Sequence, residues 1–111
     1  MTPTTSDAVF HEVLVVERDV QTTRVLLEAF ARRGIRGTVA AQAAKATDYL
    51  DARRFDAVFV NLQTASTNGS PDLRLIRRIR ADQPETPILV TSDVDRGDWA
   101  IETVRAGATE F

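Results

Sequence analysis

The chain has 111 residues with no cysteine, and its 14 basic and 16 acidic side chains give a formal net charge of -2. This length fits one domain with a single core. The lack of cysteine excludes a disulfide framework and a thiolate metal site, and the one histidine, His11, cannot form a metal cluster alone. The near balance of charge, without a dense basic cluster, argues against direct nucleic-acid binding.

The beginning of the chain indicates neither export nor membrane insertion. Residues 1–7 are small and polar, and no stretch of the chain approaches the ~18 apolar residues of a membrane span. We therefore expect a flexible N-terminal segment over residues 1–11, a cytoplasmic location and no membrane partner.

Two pairs of strand and helix are predicted in the first half. The apolar run Val13–Val16 is typical of a strand, and charged residues 17–19 follow it at once. Apolar residues at helical spacing then predict a helix over residues 20–33, which ends before Gly34. The apolar residues of this helix are Val20, Leu26, Leu27 and Phe30, and a second strand and helix are predicted at residues 38–41 and 43–53.

The centre of the chain is an apolar run that ends on an amide side chain. Ala57–Val60 has four consecutive apolar residues, two of them valine, as in strands that a parallel sheet buries on both faces. Asn61 would lie at the carboxyl end of this strand. Because ligands and catalytic groups collect at that edge of open α/β sheets, any site in this domain should include Asn61.

A third helix should follow the polar loop after Gln63. Its predicted start is Ser70-Pro71-Asp72, because serine can cap a helix, proline fits the first helical position and aspartate favours the positive end of the helix dipole. Its expected buried residues are Leu73, Ile76 and Ile79, and its arginines, at positions 74, 77, 78 and 80, are expected to be solvated.

The remaining sequence predicts one more strand, one more helix and the beginning of a fifth strand. The strand covers residues 88–91, and Ser92 and Asp93 follow it. The helix covers residues 95–106 and ends before Gly107, with Ala100, Ile101 and Val104 expected to face inward. Residues 109–111 are left for a fifth strand.

Strands and helices alternate throughout, which predicts a doubly wound α/β fold with a parallel sheet and right-handed crossovers. Polar residues follow three of the strands and should converge on one edge of the sheet. They are Glu17, Arg18, Asp19, Asn61, Ser92 and Asp93. These polar residues could form a regulatory pocket, or they could only cap the strand ends.

Four stretches fall in the order and spacing of a response-regulator receiver domain of the CheY-like superfamily, and the chain resembles that family over nearly its whole length. They are residues 15–19, the central strand ending at Asn61, residues 87–92 and residues 106–111. The resemblance implies a flavodoxin-like fold with strand order 2-1-3-4-5, in which the fifth strand is a stub and the last helix is missing.

The resemblance also implies roles for individual positions. In receivers an acidic pair holds magnesium, an aspartate after strand three accepts the phosphoryl group, a hydroxyl residue ends strand four and a lysine follows strand five. Glu17 matches the first acidic position, whereas Arg18 reverses the charge of the second. Asn61 falls at the phosphoacceptor and Ser92 at the hydroxyl position. The lysine would come after Phe111.

These departures predict a degenerate receiver, or pseudo-receiver, that is not an enzyme and needs no cofactor. The amide of Asn61 is a poor nucleophile, so it should not be phosphorylated. Magnesium binding should be weak or absent, because only Glu17 and the carbonyl of Gln63 could hold the ion beside Arg18. Asp93 would repel an incoming phosphate. If Arg18 replaces the metal, it should contact the Glu17 or Asp19 carboxylate or the Asn61 amide oxygen.

The favoured function is a phosphorylation-independent signalling module that binds a protein partner through a helix face, alone or covalently linked to an output domain. The alternative is the receiver-like N-terminal wing of a basic amino-acid decarboxylase, which supports assembly, and a conventional phosphorylated receiver is the third reading. We also expect the sequence to be part of a longer protein, with the isolated chain marginally stable or forming a homo-oligomer. The first helix is the favoured partner surface.

Overall fold

The computed structural model describes residues 10–64, 73–92 and 97–110, with side chains from residue 100 onward in the last range. Strands and helices alternate through this described part, as predicted. Their bounds are β1 Glu12–Val16, α1 Val20–Ala31, β2 Arg36–Ala40, α2 Ala43–Ala52, β3 Ala57–Asn61, α3 Arg74–Asp82, β4 Ile88–Thr91 and α4 Gly97–Ala106.

The strands form one parallel sheet in the order β2-β1-β3-β4. Glu110 makes an isolated parallel bridge to Leu89, and its carbonyl accepts a hydrogen bond from the Val90 amide at 3.0 Å. This bridge places the beginning of a fifth strand beside β4. The predicted strand order 2-1-3-4-5, with the fifth strand as a stub, is therefore confirmed.

The strand β3 lies in the middle of the sheet and is covered on both faces. Val58 and Val60 belong to the larger core cluster, which includes Ile76 and Ile79 of α3. Ala57 belongs to a smaller cluster on the opposite face, with Leu26 and Phe30 of α1 packed against it. The two-sided burial predicted from the apolar run is confirmed.

On the α1 side the sheet is covered less completely. Phe59 and Leu89 occupy paired positions of β3 and β4 and are only half-buried. The ring of Phe30 packs edge-on against Phe59 with 5.3 Å between centroids. Phe10 packs on the same cluster. Helix α1 alone among the described helices covers this face, and Val20, at the start of α1, points away from it with 78% of its surface exposed.

The start of β1 is held by a side chain from the start of β3. One carboxylate oxygen of Asp56 accepts hydrogen bonds from the amides of His11, at 2.7 Å, and Glu12, at 2.9 Å. These amide donors stabilise the charged carboxylate and lower the pKa of Asp56, the Glu12 amide most. The chain is thus tied to the sheet from residue 10 onward, and residues 1–9 lie outside the described part.

Helix α3 is described from its cap residue Leu73, and the predicted starting residues Ser70, Pro71 and Asp72 lie outside the described part. The predicted inward residues Leu73, Ile76 and Ile79 are buried, and Leu75, which was not predicted, is buried with them.

The expectation of four solvated arginines on α3 is wrong for Arg80, which is half-buried. Its guanidinium donates to the carbonyls of Gly107, at 2.8 Å, and Pro84, at 2.7 Å, and to the hydroxyl of Thr109, at 3.1 Å. Arg80 thereby joins α3 to the end of α4 and to the residues just before the Glu110 bridge. A pattern of charges cannot reveal this role, because the Gly107 carbonyl and the Thr109 hydroxyl come from a distant part of the chain.

The predicted inward face of α4 is also wrong. Ile101 and Val104 are 56% and 50% exposed, whereas Thr103 is fully buried and Ala106 is nearly so. Arg80 of α3 donates a hydrogen bond to the Gly107 carbonyl just after α4. The buried side of α4 carries Thr103 and Ala106 and not its two largest aliphatic residues, Ile101 and Val104.

Replacing Thr103 by valine is expected to raise the free energy of unfolding by about 1 kcal/mol. The Thr103 hydroxyl is buried and has no hydrogen-bond partner in the described part of the chain, so a methyl group of the same shape removes a desolvated polar atom. Urea unfolding measures the change. The matched control is Thr109→Val, which should lose stability because that hydroxyl bonds the Ile88 amide and Arg80. A less stable Thr103→Val variant would contradict the assignment.

Candidate functional site

Two buried polar side chains lie at the carboxyl edge of the sheet. Glu17 follows β1 and is 6% exposed, and Asn61 ends β3 and is 7% exposed. Parallel pairing continues past both strands, since the Glu17 amide donates to the Ala40 carbonyl at 3.0 Å and the Leu62 amide to the Thr91 carbonyl at 2.8 Å. This backbone pairing fixes the positions of Glu17 and Asn61 at the edge of the sheet.

An open cleft of about 680 Å³ lies along this edge. Five of the predicted site residues line it, namely Glu17, Arg18, Asp19, Asn61 and Gln63. Ser92 is joined to them, because the Gln63 amide donates to its hydroxyl at 3.0 Å. Asp93 lies outside the described residues. The predicted convergence of three strand ends is confirmed for every described member, and the cleft continues onto the apolar side chains of Leu26 and Phe59.

Asp19 caps the first helix. Its carboxylate accepts hydrogen bonds from the Thr22 amide at 2.9 Å and the Thr22 hydroxyl at 2.6 Å. The hydroxyl, followed by the amide, lowers the pKa of Asp19. A lowered folded-state pKa means that the cap stabilises α1 at neutral pH and that this stabilisation is lost as the pH falls through that pKa. The Asp19 amide in turn donates to Glu17 Oε2 at 3.1 Å.

Asn61 closes the turn that follows β3. Its Oδ1 accepts a hydrogen bond from the Thr64 amide at 3.0 Å and a longer one from the Thr64 hydroxyl at 3.4 Å. Thr64 Oγ1 also accepts from the Arg18 amide at 3.2 Å. Thr64 and Thr22 were not predicted as site residues. Each lies three residues after an Asn or Asp, the spacing at which such side chains accept a backbone hydrogen bond.

The predicted contacts of the Arg18 side chain are wrong. Arg18 is exposed, and within the described residues its guanidinium makes no hydrogen bond or ion pair with Glu17, Asp19 or Asn61. The observed partners of Glu17, Asp19 and Asn61 are the Asp19 amide, Thr22 and Thr64, respectively. An exposed arginine gains little from a surface ion pair and loses side-chain entropy by forming one.

The residues at this edge do not fit the magnesium site that the resemblance implies. Magnesium requires hard oxygen ligands in near-octahedral geometry and usually takes one or two carboxylates. Here Glu17 is the buried carboxylate, Asp19 is engaged as a helix cap and Asn61 offers a neutral amide. Arg18 adds a positive charge to the same cleft. Among the residues that the structure describes, no group of three or more His, Cys, Asp or Glu side chains could hold a metal ion.

No helix in the described part of the chain is long and apolar enough to cross a membrane.

The chain matches a known protein family over nearly its whole length. The family model described as "Response regulator receiver domain" matches residues 13–111. This chain belongs to the response regulator receiver domain family. The receiver is 23% identical over 100 residues to the transcriptional regulatory protein ZraR of Klebsiella oxytoca, covering 90% of this chain and 22% of that protein. It thus spans about a fifth of that curated relative.

Solved structures show the same fold. A response regulator from Thermotoga maritima is 30% identical with a TM-score of 0.79, and the alignment covers 92% of this receiver and 82% of that chain. A response regulator protein from Burkholderia pseudomallei, solved with a phosphorylated aspartic acid, a calcium ion and citrate, is 24% identical with a TM-score of 0.80 over 90% of this receiver and 57% of that chain. The predicted family and fold are confirmed.

Proposed function

We propose that this receiver is a phosphorylation-independent signalling module, a pseudo-receiver that acts by binding a protein partner. One observation carries the proposal: Asn61 ends β3, where the family resemblance expects the phosphoacceptor aspartate, and it is buried with its side-chain oxygen bonded to the Thr64 amide. An amide lacks the nucleophilic oxygen pair of a carboxylate and forms no acyl phosphate. Asn61 therefore supports a turn and offers no acceptor for a phosphoryl group.

The surroundings of Asn61 support the same proposal. Arg18 stands where the second acidic residue is expected. Of the two carboxylates among the described residues that line the cleft, Asp19 caps α1 through Thr22 and Glu17 accepts from the Asp19 amide. The hydroxyl of Ser92 accepts a hydrogen bond from Gln63. Asp19 and Ser92 thus have hydrogen-bond partners within the protein.

Small phosphodonors are expected to leave the protein unmodified. Acetyl phosphate, with or without magnesium, should give no gain of one phosphate in intact-protein mass, because Asn61 cannot attack phosphorus. A receiver that carries the acceptor aspartate, treated in parallel, shows that the donor is active. A phosphate mapped to Asn61, Glu17 or Asp19 would end the proposal.

A helix face is the proposed partner surface. Helix α1 exposes Val20 and Val25, at 78% and 66% of their surface, and helix α4 exposes Ile101 and Val104. Exposed apolar side chains on helices are suited to burial against another protein.

A covalently linked output domain is part of the proposal. The matched region is 22% of ZraR and 23% of the chain of NtrX from Brucella abortus, so in both proteins the similar part is one piece of a longer regulator. Sequencing the reading frame after residue 111 tests this directly. A stop codon at that point would contradict the linked output domain while leaving the phosphodonor result unaffected.

A further inference from the structure

Two neighbouring side chains, Gln63 and Thr64, connect the turn after β3 to the strand ends on both sides of it. Thr64 Oγ1 accepts a hydrogen bond from the Arg18 amide at 3.2 Å, which reaches the end of β1. Gln63 Nε2 donates to Ser92 Oγ at 3.0 Å, which reaches the end of β4. Side chains from one dipeptide thus link three strand ends.

The turn after β3 is itself held by hydrogen bonds between Thr64 and Asn61, so Gln63 and Thr64 project from a fixed backbone. The Thr64 amide donates to Asn61 Oδ1 at 3.0 Å, and the Thr64 hydroxyl lies 3.4 Å from the same oxygen. A threonine hydroxyl has one donor and two acceptor positions, so it can accept from Arg18 and donate to Asn61 at once. The two bonds between Thr64 and Asn61 are partly buried, whereas the bond from the Arg18 amide to Thr64 Oγ1 is exposed to solvent.

We propose that Gln63 and Thr64 form a brace that holds the carboxyl edge of this receiver in one arrangement without a phosphoryl group or a metal ion. The inference rests on the proposed function and deepens it, because a module that is not phosphorylated still has to present a defined surface. Every bond of the brace runs between neutral groups of the protein, so none depends on a ligand. Gln63 is a positioning residue for the Ser92 hydroxyl, and Thr64 is one for the backbone at Arg18.

The first test replaces Thr64 by valine, which keeps the shape and removes the hydroxyl. Hydrogen exchange followed by NMR should then be up to about tenfold faster at the Arg18 amide, because its acceptor is gone. Thr64→Ser, which keeps the hydroxyl, should behave like the wild type. The matched control is Thr38→Val, since the Thr38 hydroxyl accepts from Arg53 at 2.7 Å and has no part in the brace. It should leave the Arg18 amide unchanged.

The second test replaces Gln63 by methionine, which has a similar length and no amide. The Cβ resonance of Ser92 should shift, and relaxation dispersion should show microsecond-to-millisecond exchange at Arg18 and Ser92 in the Gln63→Met/Thr64→Val double variant but not in the wild type. An Arg18 amide that exchanges equally fast in wild type and Thr64→Val overturns the brace, as does equal dispersion in wild type and double variant. Phosphate uptake by the wild type would instead overturn the proposed function, so the two failures are distinguishable.

Discussion

Replacing Asn61 by aspartate is expected to lower the free energy of unfolding by about 1–3 kcal/mol at neutral pH without magnesium. Asn61 and Glu17 both line the cleft and both are buried, so the change adds a second buried carboxylate to the cleft. Like charges at such a site resist ionising together. The neutral amide of Asn61 avoids this second buried charge.

Urea unfolding of Asn61→Asp and Asn61→Ala separates charge from hydrogen bonding. The alanine variant loses the hydrogen bond to the Thr64 amide and gains no charge. The aspartate variant keeps a hydrogen-bond acceptor and gains a negative charge. Burial and Glu17 disfavour the charged form of the new carboxyl group, so its penalty should shrink as the pH falls and the group takes up a proton. An Asn61→Asp variant with an unchanged free energy of unfolding at neutral pH in magnesium-free buffer would refute this explanation of the amide at position 61.

The double change Arg18→Asp with Asn61→Asp should create magnesium affinity. It replaces a guanidinium and an amide at the cleft by two carboxylates beside Glu17, which gives the oxygen ligands that the ion prefers. Millimolar magnesium should then restore stability to urea in the double variant and have no effect on the wild type. Tryptophan or tyrosine fluorescence that does not respond to magnesium in the double variant would count against the expectation.

Replacing Gly107 by alanine is expected to lower the free energy of unfolding by about 3 kcal/mol. Gly107 ends α4 with φ +125°, a conformation that side chains rarely adopt, and a Cβ there would lie 2.7 Å from Arg80 Cβ and 2.8 Å from Arg80 Cγ. Arg80 cannot move away freely, because its guanidinium bonds the Gly107 and Pro84 carbonyls and Thr109. Backbone strain and steric overlap therefore act together.

Gly34→Ala is the matched control for backbone strain alone. Gly34 has φ +73°, and a Cβ there would meet nothing within 4 Å, so the cost should be about 1 kcal/mol. Arg80→Ala combined with Gly107→Ala should cost less than the sum of the two single changes, because the overlap is relieved. Equal effects of the two glycine replacements in urea unfolding, or strict additivity with Arg80→Ala, would show that contact with Arg80 does not matter.

The sequence alone was sufficient for the elements whose stability is local or depends on simple burial. Four consecutive apolar residues at 57–60 specify a strand covered on both sides, and Gly34 and Gly107 mark the ends of α1 and α4 because each has positive φ. The alternation of strands and helices specifies a parallel sheet, whose carboxyl edge collects Glu17 and Asn61. The sequence alone also shows that position 61 carries an amide and not a carboxylate.

The tertiary structure decided whatever depends on partners distant in the chain. The structure buries Thr103 of α4 and exposes Ile101, and it brings Arg80 to the carbonyl of Gly107, 27 residues away. Arg18 is exposed, and Thr22 and Thr64, which no charge pattern identifies, are the observed partners of Asp19 and Asn61. Hydrogen-bond partners are chosen by distance and by competition between donors, and those become known only when the strand ends are in place.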